Sequence, residues 1–149
     1  MISVKNLSKS YNDLVAINNI DFDIQKGEII GFLGPNGAGK TTTMKILTCF
    51  MPPTSGHATV NGLSVLDHSY SIRKMIGYLP ENNPLYEDMT VLEYLDFIAN
   101  IRQIPKSQQK SKCKRVIELC NLGDVITKPI DACSKGYRQR VGLAQALIH

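Results

Sequence analysis

Ile20, Phe22 and Ile24 alternate with Asp21, Asp23 and Gln25. That period of two predicts a strand with one apolar and one wet face. With residues 2–5 it predicts two strands around the turn region Tyr11–Asn12–Asp13, and Lys26–Gly27 predicts a further turn. Ile29–Ile30–Gly31–Phe32–Leu33 does not alternate. A run that is apolar on both faces predicts a strand covered on both sides, as in a parallel α/β sheet. A glycine-rich loop follows it directly. Thr41 to Met51 then predicts a helix, stopped by Pro52–Pro53. His57 to Asn61 predicts a short strand ended by Gly62, and Ile76 to Leu79 a strand that runs into Pro80.

The second half of the chain has helical periodicity. Thr90–Val91–Leu92–Glu93 is a capping box, in which the Thr hydroxyl and the Glu carboxylate satisfy free amides at a helix start. The helix it opens is predicted to bury Val91, Tyr94, Leu95, Ile98 and Ile101 on one stripe. Ser107 to Leu119 predicts a more polar helix. Ser134 is placed to cap a third, carrying Val141, Ala144, Gln145 and Leu147. β-rich sequence, then strand–loop–helix, then helices: this order predicts one α/β domain with an antiparallel β portion and a helical insertion. Its 149 residues suffice for a core.

Composition narrows the chemistry only a little. The net charge of +4 is spread along the chain, apart from Lys106, Lys110, Lys112, Lys114 and Arg115. This cluster reads as the solvated face of a helix rather than a nucleic-acid site. Cys49, Cys113, Cys120 and Cys133 form no Cys-x-x-Cys pair and read as free, mostly buried thiols suited to a reducing compartment. The N-terminal stretch lacks the basic region and apolar core of a signal peptide. No apolar run approaches the ~20 residues of a membrane-spanning helix.

The strongest chemical signal is Gly34-Pro35-Asn36-Gly37-Ala38-Gly39-Lys40-Thr41, with a predicted strand before it and a predicted helix after it. This is the P-loop pattern in its proper context. The glycines let the backbone approach oxygen atoms closely, so that successive amides face a phosphate. The helix start adds free amides and the positive end of its dipole. Lys40 brings a compact positive charge to the β- and γ-phosphates. The Thr41 hydroxyl is a ligand for Mg²⁺, and Thr42 is placed for the α-phosphate. ATP and Mg²⁺ are therefore the expected cofactors. No Asn-Lys-x-Asp guanine motif is present, which disfavours a GTPase.

Three further segments carry a resemblance. Tyr11, in Lys9-Ser10-Tyr11-Asn12, resembles the aromatic residue that stacks on adenine in ABC ATPases. Ile76-Gly77-Tyr78-Leu79-Pro80-Glu81 resembles the strand and loop carrying the ABC Q-loop. Cys133-Ser134-Lys135-Gly136-Tyr137-Arg138-Gln139-Arg140 resembles the ABC signature, usually Leu-Ser-Gly-Gly-Gln-x-Gln-Arg. The resemblance covers the whole chain, as the N-terminal part of an ATP-binding subunit. Its texture is most similar to type-2 exporters of the gliding-motility-associated and multidrug-export branches.

The resemblance implies a transport ATPase, cytoplasmic and peripheral on the inner face of the cell membrane. Its partners would be a membrane-spanning permease and a second ABC subunit, with no nucleic acid. Ser134, Lys135, Gly136 and Tyr137 would act on the partner's ATP. Residues from about 89 to 146 would form the helical subdomain, and the segment from about Met89 to Leu122 would face the permease. Glu81 stands where most members have Gln and would still ligate Mg²⁺. Lys135 and Tyr137 replace a Gly and a Gln of the signature. In the family an apolar strand ending in Asp-Glu, and then a His, follow the signature helix, and neither lies within residues 1–149. No catalytic residue is therefore assigned in the chain. Residues 1–149 alone are expected to hydrolyse ATP negligibly and to expose apolar surface that promotes self-association. The alternatives are a non-hydrolysing nucleotide-binding module and a soluble ABC regulatory factor.

Overall fold

A computed structural model describes residues 1–149, which divide into two compact units, Met1–Arg73 and Lys74–His149. The first is built on a long antiparallel hairpin, β1 (Ile2–Tyr11) and β2 (Leu14–Ile24). Tyr11 pairs with Leu14, so Asn12 and Asp13 form a two-residue turn, and Asn12 takes a positive φ of 50°. Asn tolerates that conformation because its short polar side chain bonds locally. The strands extend further than the alternation at 20–24 indicated, because Asn6 (φ 49°) and Asn19 (φ 48°) absorb register shifts without ending the pairing. β3 (Ser55–Val60) adds to the other side of β1, and the Asn61–Gly62 turn leads into a short β4 (Leu63–Ser64). The sheet order is β2-β1-β3-β4, antiparallel throughout.

Helix α1 (Lys40–Leu47) is shorter than Thr41 to Met51, because Cys49 adopts a positive φ of 57° before Pro52 is reached. It buries Thr43, Ile46 and Leu47. Val4, Leu7, Ile17, Ala58 and Val60 are buried on the strands. Helix α2 (Ser69–Met75), with Ile72 buried, was not foreseen from the pattern.

Two predicted strands are absent. Residues 29–33 and 76–79 form no ladder. Ile29 is 99% and Leu33 92% exposed, while Phe32 leans on Phe22 with ring centroids 5.8 Å apart. An apolar run supplies side chains suited to burial, but a strand also needs a neighbour to receive its amides and carbonyls. Neither run pairs with β1 to β4, so neither forms the expected strand.

The second unit is helical. Thr90 caps α3 (Val91–Ile101) with both halves of the capping box formed. Two hydrogen bonds from Thr90 hold the Glu93 carboxyl below its ordinary pKa. α4 (Lys106–Leu119), a single 3-10 turn (Gly123–Val125) and α5 (Lys135–Leu147) follow. Val91, Tyr94, Leu95, Ile98, Val116, Leu122, Ile130 and Val141 lie in one core cluster. Ile101 does not join it and is 59% exposed, because the chain leaves the helix there and Ile104 takes the buried place. Leu147 is likewise exposed, and Ile148 is buried beside it. The Tyr94 hydroxyl donates to Gln145 Oε1, tying α3 to α5, and burial first, then Tyr86, pushes its pKa to about 12. Cys113, Cys120 and Cys133 are buried free thiols and Cys49 is half-buried. Burial and the neighbouring Asp96 push Cys113 to about 11. Lys106, Lys110, Lys114 and Arg115 are exposed along α4. No helix is long and apolar enough to cross a membrane.

Candidate functional site

In the first unit, Gly34 to Thr42 form a loop that runs into the start of α1. Gly39 is the residue that precedes the helix, with φ +84°. A Cβ on it would lie 2.4 Å from the Ala16 carbonyl oxygen of β2, so both conformation and space demand glycine. Gly37 also has a positive φ, 85°. No side chain caps this helix start. The first ladder bond is from Thr43 N–H to the Gly39 carbonyl at 2.8 Å, and the Thr43 hydroxyl donates to the same oxygen at 3.0 Å. The amides of Gly39, Lys40, Thr41 and Thr42 therefore have no partner in the helix ladder. They stand at the positive end of the helix dipole, where an anion is favoured.

Lys40 lies back over the loop. Its Nζ donates to the carbonyls of Gly34 at 2.6 Å and Pro35 at 2.7 Å. The Ala38 amide bonds to the Pro35 carbonyl at 3.3 Å, which closes the loop on itself. Pro35, Asn36, Ala38 and Thr41 are exposed, and Thr42 is half-buried. The loop thus offers an ammonium, a hydroxyl and a set of unpartnered amides on an accessible surface. That donor set suits a polyphosphate with its divalent cation.

Tyr11 stands at the tip of the β1–β2 hairpin and is 41% exposed. Its hydroxyl donates to Met51 Sδ at 3.0 Å, and Lys9 Nζ lies 5.5 Å from its ring centre. A ring that is partly open to solvent is compatible with stacking.

The second unit brings together two segments that are far apart in sequence. Glu81, Asn82, Asn83 and Pro84 line one open cavity of about 630 Å³ with Lys135 and Gln139 of α5. Ser134 caps α5, its Oγ accepting from the Tyr137 amide at 3.4 Å. Lys135 and Gly136 are exposed in the first turn. Tyr137 is placed differently from a binding side chain. Its ring packs on the core cluster and lies 5.1 Å from the Arg140 guanidinium. Its aromatic bulk serves packing, a use for which the usual signature Gln has no equivalent.

The sequence did not single out Asn83 or the close approach at Gly142, and Gln139 entered only as part of the segment that resembles the signature. Gly142 carried one legible sign: glycine in a helix interior costs about 1 kcal/mol against alanine, which points to a close approach.

The ABC transporter family model matches residues 17–149. The chain is 39% identical over 149 residues to the ABC transporter ATP-binding protein YxlF of Bacillus subtilis, covering all of this chain and 49% of that protein. It is 35% identical over 149 residues to the probable multidrug ABC transporter ATP-binding protein YbhF of Escherichia coli, covering 26% of it. It therefore spans half or less of the length of these two relatives. A solved ATP-binding subunit of an ABC transporter superposes with a TM-score of 0.89 at 28% identity, over 99% of this chain and 62% of that one. With a family match over residues 17–149 and relatives 35–39% identical along its whole length, the chain belongs to the ABC transporter family of ATP-binding domains.

Proposed function

We propose that this chain is the nucleotide-binding part of the ATP-binding subunit of an ABC exporter. The observation that carries the reading is the loop before α1. Left-handed Gly37 and Gly39 open an uncapped helix start beside Lys40. Gly34, Pro35, Asn36, Gly37, Ala38 and Gly39 cradle the phosphates with backbone amides. Lys40 leaves the two loop carbonyls for the β- and γ-phosphates. Thr41 and Glu81 serve Mg²⁺, and Thr42 the α-phosphate. Mg²⁺ supplies neutralisation of the phosphate charge when it is bound. Tyr11 stacks on adenine.

The exposed Ser134, Lys135 and Gly136, with Tyr137 shaping the turn, act on the ATP of a second ABC subunit. A separate membrane permease receives the signal, and the assembly sits on the inner face of the membrane. The multidrug relative supports the exporter direction. The helical subdomain of about 89–146 is the part proposed to meet the permease. Residues 1–149 contain no Asp-Glu pair after the signature, so they alone bind ATP without appreciable turnover.

Isothermal titration with ATP and Mg²⁺, paired with a phosphate-release assay, tests this. Lys40→Ala is expected to weaken binding ~10–100-fold, the loss of a charge-assisted contact worth about 1.5–3 kcal/mol. Equal affinity in the two proteins would sink the nucleotide reading. Phosphate release that Lys40→Ala abolishes would sink the claim of no turnover.

A further inference from the structure

Segment 77–83 meets helix α5 at two glycines. A Cβ on Gly77 would stand 2.0 Å from the Ala146 carbonyl oxygen. A Cβ on Gly142 would stand 1.8 Å from Asn83 Nδ2 and 2.8 Å from Leu79 Cδ1. The two clashes differ in kind. At Gly77 the obstacle is backbone, which cannot give way without separating the segment from α5. At Gly142 the nearest obstacle is the end of one side chain.

The amide of Asn83 occupies the notch that Gly142 leaves. Its Nδ2 donates to the Arg138 carbonyl at 3.4 Å, four residues before Gly142 and one turn along the same helix. Arg138 Nη1 in turn donates to the Asp131 carbonyl at 3.4 Å, and Arg138 N–H bonds to the Ser134 carbonyl at 2.9 Å. The helix turn that Asn83 grips is therefore the one anchored by the signature serine. Asn83 is half-buried, whereas Glu81, Asn82 and Pro84 around it are exposed. Within this turn it is the side chain that can transmit a position from α5 to Glu81.

We infer that Asn83, seated in the Gly142 notch, is a positioning residue that fixes the Glu81–Pro84 turn against the signature helix. Glu81 and Lys135, which line one cavity, are then held as a single unit. The functional consequence rests on the reading proposed above: Glu81 serves this chain's nucleotide and Lys135 the partner's. A displacement of α5 by the partner's phosphate would carry Glu81 with it, through Asn83. The glycine follows from the same requirement, because any side chain at residue 142 would evict the amide that makes the link.

Backbone ¹⁵N relaxation by NMR on the full chain decides the matter without any nucleotide, because the amides of 81–86 donate no backbone hydrogen bond and their order reports the seat of the turn directly. Four proteins are compared: unsubstituted, Asn83→Ala, Gly142→Ala and the double variant. Each single substitution is expected to lower the order parameters of the amides in 81–86 from about 0.85, rigid backbone, toward about 0.6. The double variant should be no less ordered than either single one, since both remove the same contact. Order parameters in α3 and α5 should be unchanged.

Unchanged order parameters at 81–86 in either single variant would overturn the inference. So would a further loss of order in the double variant, or lower order parameters throughout the second unit, which would mark a merely structural role. ATP binding by the unsubstituted chain is measured separately. Its absence would remove the nucleotide reading and leave the relaxation result to judge the Asn83 link.

Discussion

The apolar run at 29–33 and the apolar stripe of α3 look equally suited to burial in the sequence, yet they end differently. Val91, Tyr94, Leu95 and Ile98 are almost wholly buried, while Ile29 and Leu33 stand in the open. The difference lies in where each finds its partners. A helix satisfies its own backbone and needs only an apolar surface to cover its stripe, which α4, α5 and the turn at Leu122 supply nearby. A strand must also find a neighbour for its amides and carbonyls, and that neighbour can be distant in the chain. The helical unit therefore closes its core from its own residues, whereas the first unit leaves an apolar segment uncovered immediately before its phosphate loop.

The sharpest way to break this comparison is to cut into the closed core. Leu95→Ala should lower stability by about 3 kcal/mol, read from denaturant unfolding, because it empties a fully buried site. A change under 1 kcal/mol would mean that the helical unit is not tightly packed. Next in size is Gly39→Ala. An alanine there must adopt a left-handed conformation, costing about 1–2 kcal/mol. It must also push against the Ala16 carbonyl, so both melting temperature and ATP affinity should fall. Retained affinity would detach the loop from its seat on β2.

Thr90→Ala should cost about 1 kcal/mol at pH 7 through loss of the cap. It also carries a pH signature. The folded pKa of Glu93 lies below its ordinary 4.5 because of Thr90, so this stabilisation is complete above 4.5 and is lost as pH falls through the folded value. The variant should therefore lose less stability than the unsubstituted protein when acidified below pH 4.5. Parallel acid titrations of the two would show the cap to be incidental. The smallest effect belongs to the open segment: Ile29→Ser should change stability by less than about 0.5 kcal/mol. It should also reduce self-association in sedimentation at high concentration. A loss above 1 kcal/mol would show Ile29 to be covered after all, and would erase the contrast between the two regions.

Local chemistry was the most legible part of this protein. The Thr90–Glu93 box, the Ser134 cap and the Asn12–Asp13 turn each depend on residues a few positions apart, and each forms where the sequence placed it. The glycine-rich loop before α1 was legible for the same reason, since its glycines act through their immediate backbone. Ile101 was misread because periodicity says which face is apolar but not where the chain will leave the helix. The strands at 29–33 and 76–79 were misread because an apolar run carries no information about its hydrogen-bonding neighbour. Asn83 and Tyr137 were legible only as types: an amide in a loop, and an aromatic in place of a glutamine.

By itself, then, the sequence determined the family, the glycine-rich loop before α1, the capped starts of α3 and α5 and the free thiols. Those rest on spacing within a few residues, where covalent geometry and local hydrogen bonds leave little choice. Only the tertiary structure decided that Tyr137 packs inward, that Gly142 makes room for Asn83, and that Glu81 shares a cavity with Lys135. Those depend on two stretches some fifty residues apart meeting face to face. Their meeting is set by the packing of a whole core, in which each side chain's place is fixed by all its neighbours rather than by its own sequence surroundings.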